Sequence, residues 1–326
     1  MLNRIAVALG AGIASALLFC VTVKGTTLAM ALAYLAPLPI MISALGWGIE
    51  ADALASVVAG AVVAGVIDPG SGLLFWLTVA LPSALLSGLA SATSLNPFDR
   101  LNSAAKKPFR AGLGALTMTA AALGAVVSAG ALGVMIFFNG GYAKAVATFR
   151  AMLEPTLQEA MSGGLGLPQE LGADEVARLI IKYAPAAISA STALMLLLNL
   201  YVAARVVQFS QRLNRPWLEI PTNLKLPASL TLVAVAATAA WLFSPEPYNP
   251  FAAAIAAPLI LIFVFQGLAA LHALSRRAPG RMALIVALYF AFFIAPRWVG
   301  VALALFGIAE SLLTLRARQA AHPFKT

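Results

Sequence analysis

Apolar runs of about 20 residues recur along this chain, and they leave it few folds to adopt. Such a run is long enough to cross a bilayer core, where every backbone N–H and C=O must find a partner within the protein. Only helices and closed barrels meet that demand. The runs are continuously apolar rather than alternating, which argues against a barrel. Composition agrees, with 61% hydrophobic and 10% charged residues, where a soluble domain carries about 25% charged. The expected fold is all-α: a polytopic transmembrane helical bundle of about ten spans, eight at the fewest, with the lipid bilayer as its first partner.

Eight spans read directly, at about 5–23, 28–45, 53–67, 73–93, 111–138, 184–207, 228–243 and 251–274. The first resembles a signal peptide, with Arg4 ahead of it, but further spans follow at once and it reads as an uncleaved span. The last apolar stretch, 282–315, is interrupted by Pro296-Arg297-Trp298. It reads as two short spans, 282–295 and 298–315, or as a partly re-entrant hairpin. Three sections follow: a five-span bundle over 1–138, an amphipathic segment over 139–183, and spans six to ten over 184–326.

The net charge of +9 does not signal nucleic acid, because the basic residues fall in short loops where topology accounts for them. With both termini in the cytosol, 15 of the 21 Lys and Arg lie on the cytosolic side. That asymmetry sets the expected orientation in a bacterial cytoplasmic (inner) membrane. It leaves 139–182 outside the cytosol. In that segment Tyr142, Val146, Phe149, Leu153 and Leu157 recur at helical spacing. Asp174-Glu175 begin a second helical stretch. Both read as helices lying on the membrane or over the mouth of the bundle.

Three groups of residues are candidates for function. Pro37 and Pro39 break the second span. A broken helix near mid-membrane marks either a cavity or a plain kink. Together with Asn199 and Glu310 they form a candidate solute cavity. Glu310, set in an apolar run, either binds a cation or a proton or pairs with an arginine at the cytosolic edge. The second group is Arg205, Gln208 and Arg212, on one face of a helix extending from span six, with Arg215 and Trp217 beyond. They are candidates for contact with anionic lipid or a cytosolic partner. The third is Ala8, Gly12 and Ala16, a small-residue face for helix packing, either inside the bundle or against another membrane subunit. Glu50 and Asp52 read as loop acids, Asp68 as a cap on the next span, and His272 as a packed residue at the end of span eight.

Chemistry is sparse. There is one cysteine, so no internal disulfide and no thiolate cluster, and two histidines do not support a metal site. No nucleotide loop, HExxH or GxSxG pattern occurs. No catalytic residue, cofactor or metal is expected, and the chain does not read as an enzyme.

PLPIMISALGWG with its neighbours, NLYVAARVVQ before a tryptophan-containing loop, QGLAALHALSRR, and the terminal GIAESLLTLRAR together resemble the YybS-like family of bacterial multi-span proteins. That family is distantly similar to the substrate-binding membrane subunits of energy-coupling-factor transporters over the first six spans. The resemblance implies a small solute held between helices, with other membrane subunits or an ATPase pair as partners. The four additional spans depart from that pattern. The expected function is a transporter-like solute binder; the alternative is a scaffold recruiting a cytosolic partner or anionic lipid.

Overall fold

A computed structural model describes residues 2–91, 112–162, 172–213 and 217–321. The helices are, in chain order, α1 Leu2–Cys20, α2 Thr27–Tyr34, α3 Pro37–Trp47, α4 Ile49–Val66 and α5 Pro69–Ser91. Then come α6 Leu113–Phe138, α7 Tyr142–Ser162, α8 Ala173–Phe209, α9 Ile220–Asn223 and α10 Ala228–Phe243. The last four are α11 Tyr248–Leu274, α12 Arg281–Ile294, α13 Pro296–Leu313 and α14 Leu315–Ala321. Among the described residues there is no strand, and eight helical segments are long and apolar enough to cross a membrane. The shorter apolar helices α10 and α12 bring the apolar helical segments to the ten expected. The protein is a polytopic α-helical membrane protein.

Two compact units make up the chain. The first holds Met1–Ala120, Ala193–Pro227 and Phe263–Thr326; the second holds Ala121–Thr192 and Ala228–Ile262. In the first, α1 lies along α4 through small side chains. A Cβ on Gly12 would stand 2.6 Å from the Ala55 carbonyl oxygen and 2.8 Å from Val58. Ala8 and Ala16 on the same face are fully buried. The face of Ala8, Gly12 and Ala16 is thus taken by the chain's own α4.

Several boundaries follow from single residues. Asp68 accepts a hydrogen bond from the Ser71 N–H at 2.9 Å and Pro69 takes the first helical position, so α5 starts with an oxygen cap and a residue that has no N–H to satisfy. Pro82 sits within α5 without ending it. The turn before it, Trp76–Ala80, widens to π geometry, which absorbs the missing donor. Gly48 takes φ +95° and turns the chain directly from α3 into α4. Glu50 and Asp52 therefore belong to the first turn of α4 rather than to a loop, where acidic side chains complement the helix dipole. Asp52 is buried, with the Ser87 hydroxyl 3.2 Å from its carboxyl.

In the second unit α7 is helical as its periodicity requires, with Ala145 and Leu157 buried. The stretch beginning at Asp174 is no separate surface helix. It is the start of α8, which runs unbroken for 37 residues, or about 55 Å, well beyond the ~30 Å hydrocarbon core. No glycine interrupts it, and its one proline, Pro185, is tolerated in an otherwise complete ladder. The Pro185 carbonyl accepts from the Ser128 hydroxyl at 2.7 Å. Arg150 of α7 pairs with Glu154 at 2.8 Å and also with Asp174. Tyr142 is pushed up to about 12 by burial, with Glu246 adding to the effect.

α8 stops at Phe209 and does not continue along the surface. Gln211 adopts φ +54°. Its N–H bonds the Gln208 carbonyl, and the Arg212 N–H reaches the Val207 carbonyl at 3.1 Å. This left-handed turn satisfies the last carbonyls of the helix and ends it. Arg212 therefore lies beyond α8 and does not share a helical face with Arg205 and Gln208.

Candidate functional site

The proline break of the second span is built as the sequence implies. With Pro37 and Pro39 unable to donate, the chain tightens to 3₁₀ bonds. The Leu38 N–H turns to the Leu35 carbonyl at 3.0 Å and leaves the Tyr34 carbonyl without its helical donor. Asn199 of α8 supplies one: its Nδ2 donates to the Tyr34 carbonyl at 2.7 Å and to the Met195 carbonyl at 2.8 Å. Asn199 is fully buried, and its Oδ1 has no partner among the described residues. Pro37, Pro39 and Asn199 thus come together, in a packed repair of broken backbone. Replacing Asn199 by leucine is expected to cost about 1–3 kcal/mol, the penalty of an orphaned carbonyl. The cost should shrink when Pro37 and Pro39 are both changed to alanine, because the Leu38 N–H can then recover the Tyr34 carbonyl. Thermal unfolding of the four proteins in one detergent measures this coupling.

Glu310 lies elsewhere in the same unit. Its carboxylate meets the Arg316 guanidinium at 2.7 Å, the two side chains being 5% and 8% exposed. Thr314 takes φ +49° and ends α13, which turns Arg316 back over Glu310. The remaining guanidinium nitrogens donate to the Pro221 carbonyl at 2.6 Å and the Leu224 carbonyl at 2.7 Å. One turn away, the buried Gln266 of α11 ties three segments together. Its Oε1 accepts from the Leu226 N–H at 2.6 Å. Its Nε2 donates to the Gly307 carbonyl at 2.9 Å and to the Ser311 hydroxyl at 2.5 Å. Glu219 adds an ion pair with Arg276, and the donated hydrogen bond holds its carboxyl below the usual carboxylate range. Residues 217–226 are in this way strapped to α11, α13 and the start of α14.

The strapped segment walls a groove of about 580 Å³, a volume suited to a small ligand. Leucines of α6 and α8, among them Leu116, Leu194, Leu197 and Leu198, form much of its lining, and Ile220 and Pro221 close one side. Among the described residues that line it there is no acid, lysine or arginine. Polar atoms enter from Thr117, Tyr201, Trp217, His272 and Tyr289. The His272 Nδ1 lies 2.9 Å from the Leu268 carbonyl. A carbonyl only accepts, so Nδ1 carries the proton and Nε2, 3.5 Å from the Tyr289 hydroxyl, faces outward as an acceptor. The Tyr201 oxygen accepts from Arg205 Nε at 3.2 Å, which leaves its O–H free to donate.

The expected partner-contact residues disperse. Arg205 stacks on Tyr201 with 5.2 Å to the ring centroid. Arg212 stacks instead on Trp47 at 4.7 Å. Gln208 lies in a shallow surface depression beside Phe209, Trp217 lines the groove, and Arg215 falls outside the described residues. Four residues of the site carried little sequence signal. Gln266 is an isolated amide in an apolar helix, which is the kind of residue that glues membrane helices. Arg316 reads as a cytosolic-edge arginine that Glu310 could pair with, but nothing in the sequence signals its reach to the Pro221 and Leu224 carbonyls, and His272 and Tyr289 are single residues whose meeting depends on the α11–α12 connection.

No curated protein and no solved structure matches the chain. A family model described as a predicted membrane protein (DUF2232) matches residues 13–311, nearly the full length of the apolar architecture described above. The chain is a member of this family of predicted membrane proteins.

Proposed function

We propose that the protein is a non-catalytic membrane binder of a small solute, with the solute held in the leucine-walled groove of the first unit. The observation that carries this reading is the groove itself: a concave, mainly apolar space with a few polar atoms at Tyr201, His272 and Tyr289. That composition is typical of ligand sites. It differs from the cavity expected at Pro37, Pro39, Asn199 and Glu310, whose polar atoms serve backbone repair and an ion pair. The groove lies near the ends of α8 and α11 that lead to Arg205, Arg276 and Arg281, which the charge bias assigns to the cytosol. A transporter-like role, in the manner of an energy-coupling-factor substrate subunit, is one form such a binder takes. With no nucleotide loop of its own, it would draw energy from a gradient or from a partner ATPase.

The test is extraction of the protein into native lipid discs without detergent, followed by mass spectrometry of the small molecules retained. A bound species should accompany the unaltered chain and be lost from Leu197→Trp, in which an indole fills the groove. The same molecules in both preparations would overturn the reading.

A further inference from the structure

The face of α8 that lines the groove is graded along its length. Leu194, Leu197, Leu198 and Tyr201 line the groove at i, i+3, i+4 and i+7, and Arg205 follows one turn on, so all five share a stripe. From Leu194 to Arg205 the helix rises about 16 Å. Hydrocarbon comes first, then an aromatic hydroxyl, then a cation. Arg205 is exposed and makes no ion pair among the described residues. Its Nε is taken by the Tyr201 oxygen, which leaves the two terminal nitrogens to meet an anion. Among the described residues lining the groove there is no charged group to receive a charge, and an unpaired charge there would be costly.

Resting on the groove as the binding site, the geometry points to a specific ligand class: a single-chain anionic amphiphile. Its hydrocarbon chain lies along Leu194, Leu197 and Leu198, and its carboxylate or phosphate lies at Arg205. The Tyr201 hydroxyl, already oriented by Arg205, donates to the same headgroup. The chain supplies affinity by burial and Arg205 supplies the choice of head. An uncharged amphiphile of equal length keeps the first and loses the second.

The test uses the full chain in phosphatidylcholine nanodiscs and reads Trp217 fluorescence, since Trp217 lines the groove and a bromine atom quenches an indole that it touches. The probes are ω-bromoundecanoate and ω-bromoundecanol, with Trp217→Phe identifying the Trp217 signal. Saturable quenching by the acid is expected, with about tenfold weaker binding for the alcohol and for the acid on Arg205→Gln, the loss of a charge-assisted hydrogen bond. Leu197→Trp should remove the Trp217 quenching by both probes. Inorganic phosphate alone should leave the acid in place; displacement by it would show a free-anion site and overturn the inference. Equal binding of acid and alcohol, unaffected by Arg205→Gln, would overturn the ligand class while leaving the groove as a binding site. Quenching that only follows the amount of probe in the bilayer would show bulk lipid contact and overturn both.

Discussion

Gly307→Leu protein is expected to leave the membrane fraction aggregated, or to melt far below the unaltered chain. α11 and α13 cross at Gly267 and Gly307. A Cβ on Gly307 would run into the Phe263 carbonyl oxygen, and one on Gly267 would run into the Leu303 carbonyl oxygen. Backbone on both sides leaves no flexible side chain to give way. Close approach of this kind is how membrane helices gain packing energy without a hydrophobic drive between them. Overpacking costs about 1–3 kcal/mol by itself. Here it also pulls the Gly307 carbonyl and Ser311 hydroxyl away from Gln266, leaving a buried amide short of partners at about a further 1–3 kcal/mol. Against a total stability of about 5–15 kcal/mol, that sum is large. Gly300→Ala, on the same helix with nothing within 4 Å of the added Cβ, should melt at or slightly above the normal temperature. Size-exclusion profiles and melting curves in one detergent distinguish the two.

The Glu310–Arg316 pair should show the second large effect. Removing one member of a buried pair leaves an uncompensated charge and costs about 3–5 kcal/mol. Arg316→Met carries the further loss of donors to the Pro221 and Leu224 carbonyls, so it should be the worse of the single changes. Glu310→Gln with Arg316→Met should recover part of the loss, because the stranded charge is gone. A double-mutant cycle of melting temperatures measures the coupling. Additive effects would mean that the ion pair contributes nothing beyond its separate members. The straps on 217–226 also predict where the damage appears: limited proteolysis of Arg316→Met should cut first within that segment.

Sequence reading recovered the architecture because hydrophobic length is a local property. The apolar runs 228–243 and 282–315 correspond to α10 and to the pair α12 and α13, and the break at Pro296 is where the runs predict it. The proline pair in the second span was equally visible, since a missing N–H is written in the residue type. The partner of the freed carbonyl was not visible, because Asn199 lies 165 positions from Tyr34 and only the folded chain joins them. Asp52 read as a loop acid because Gly48 looks like a loop residue. A single left-handed glycine connects two helices there without a loop at all. The course of α8 depended on an equally small signal, since a polar stretch with no glycine continues a helix as readily as it starts a new one, and a non-glycine residue, Gln211, ends it. The groove could not be read from the sequence, because its walls come from four helices and a strapped segment distant in the chain.

Asn199 has one more consequence. Its hydrogen bond to the Tyr34 carbonyl ties α8 to the broken second span at one azimuth, because turning the helix by even one residue, about 100°, would carry the amide away from Tyr34. The leucines and Tyr201 occupy the same turns of the same helix, so their wall is held at a set angle. Another part of the wall, residues 217–224, is held to the rest of the unit by side-chain bonds from Arg316 and Arg276. Arg316 and Arg276 clasp one wall of the groove, and Asn199 pins the other in place.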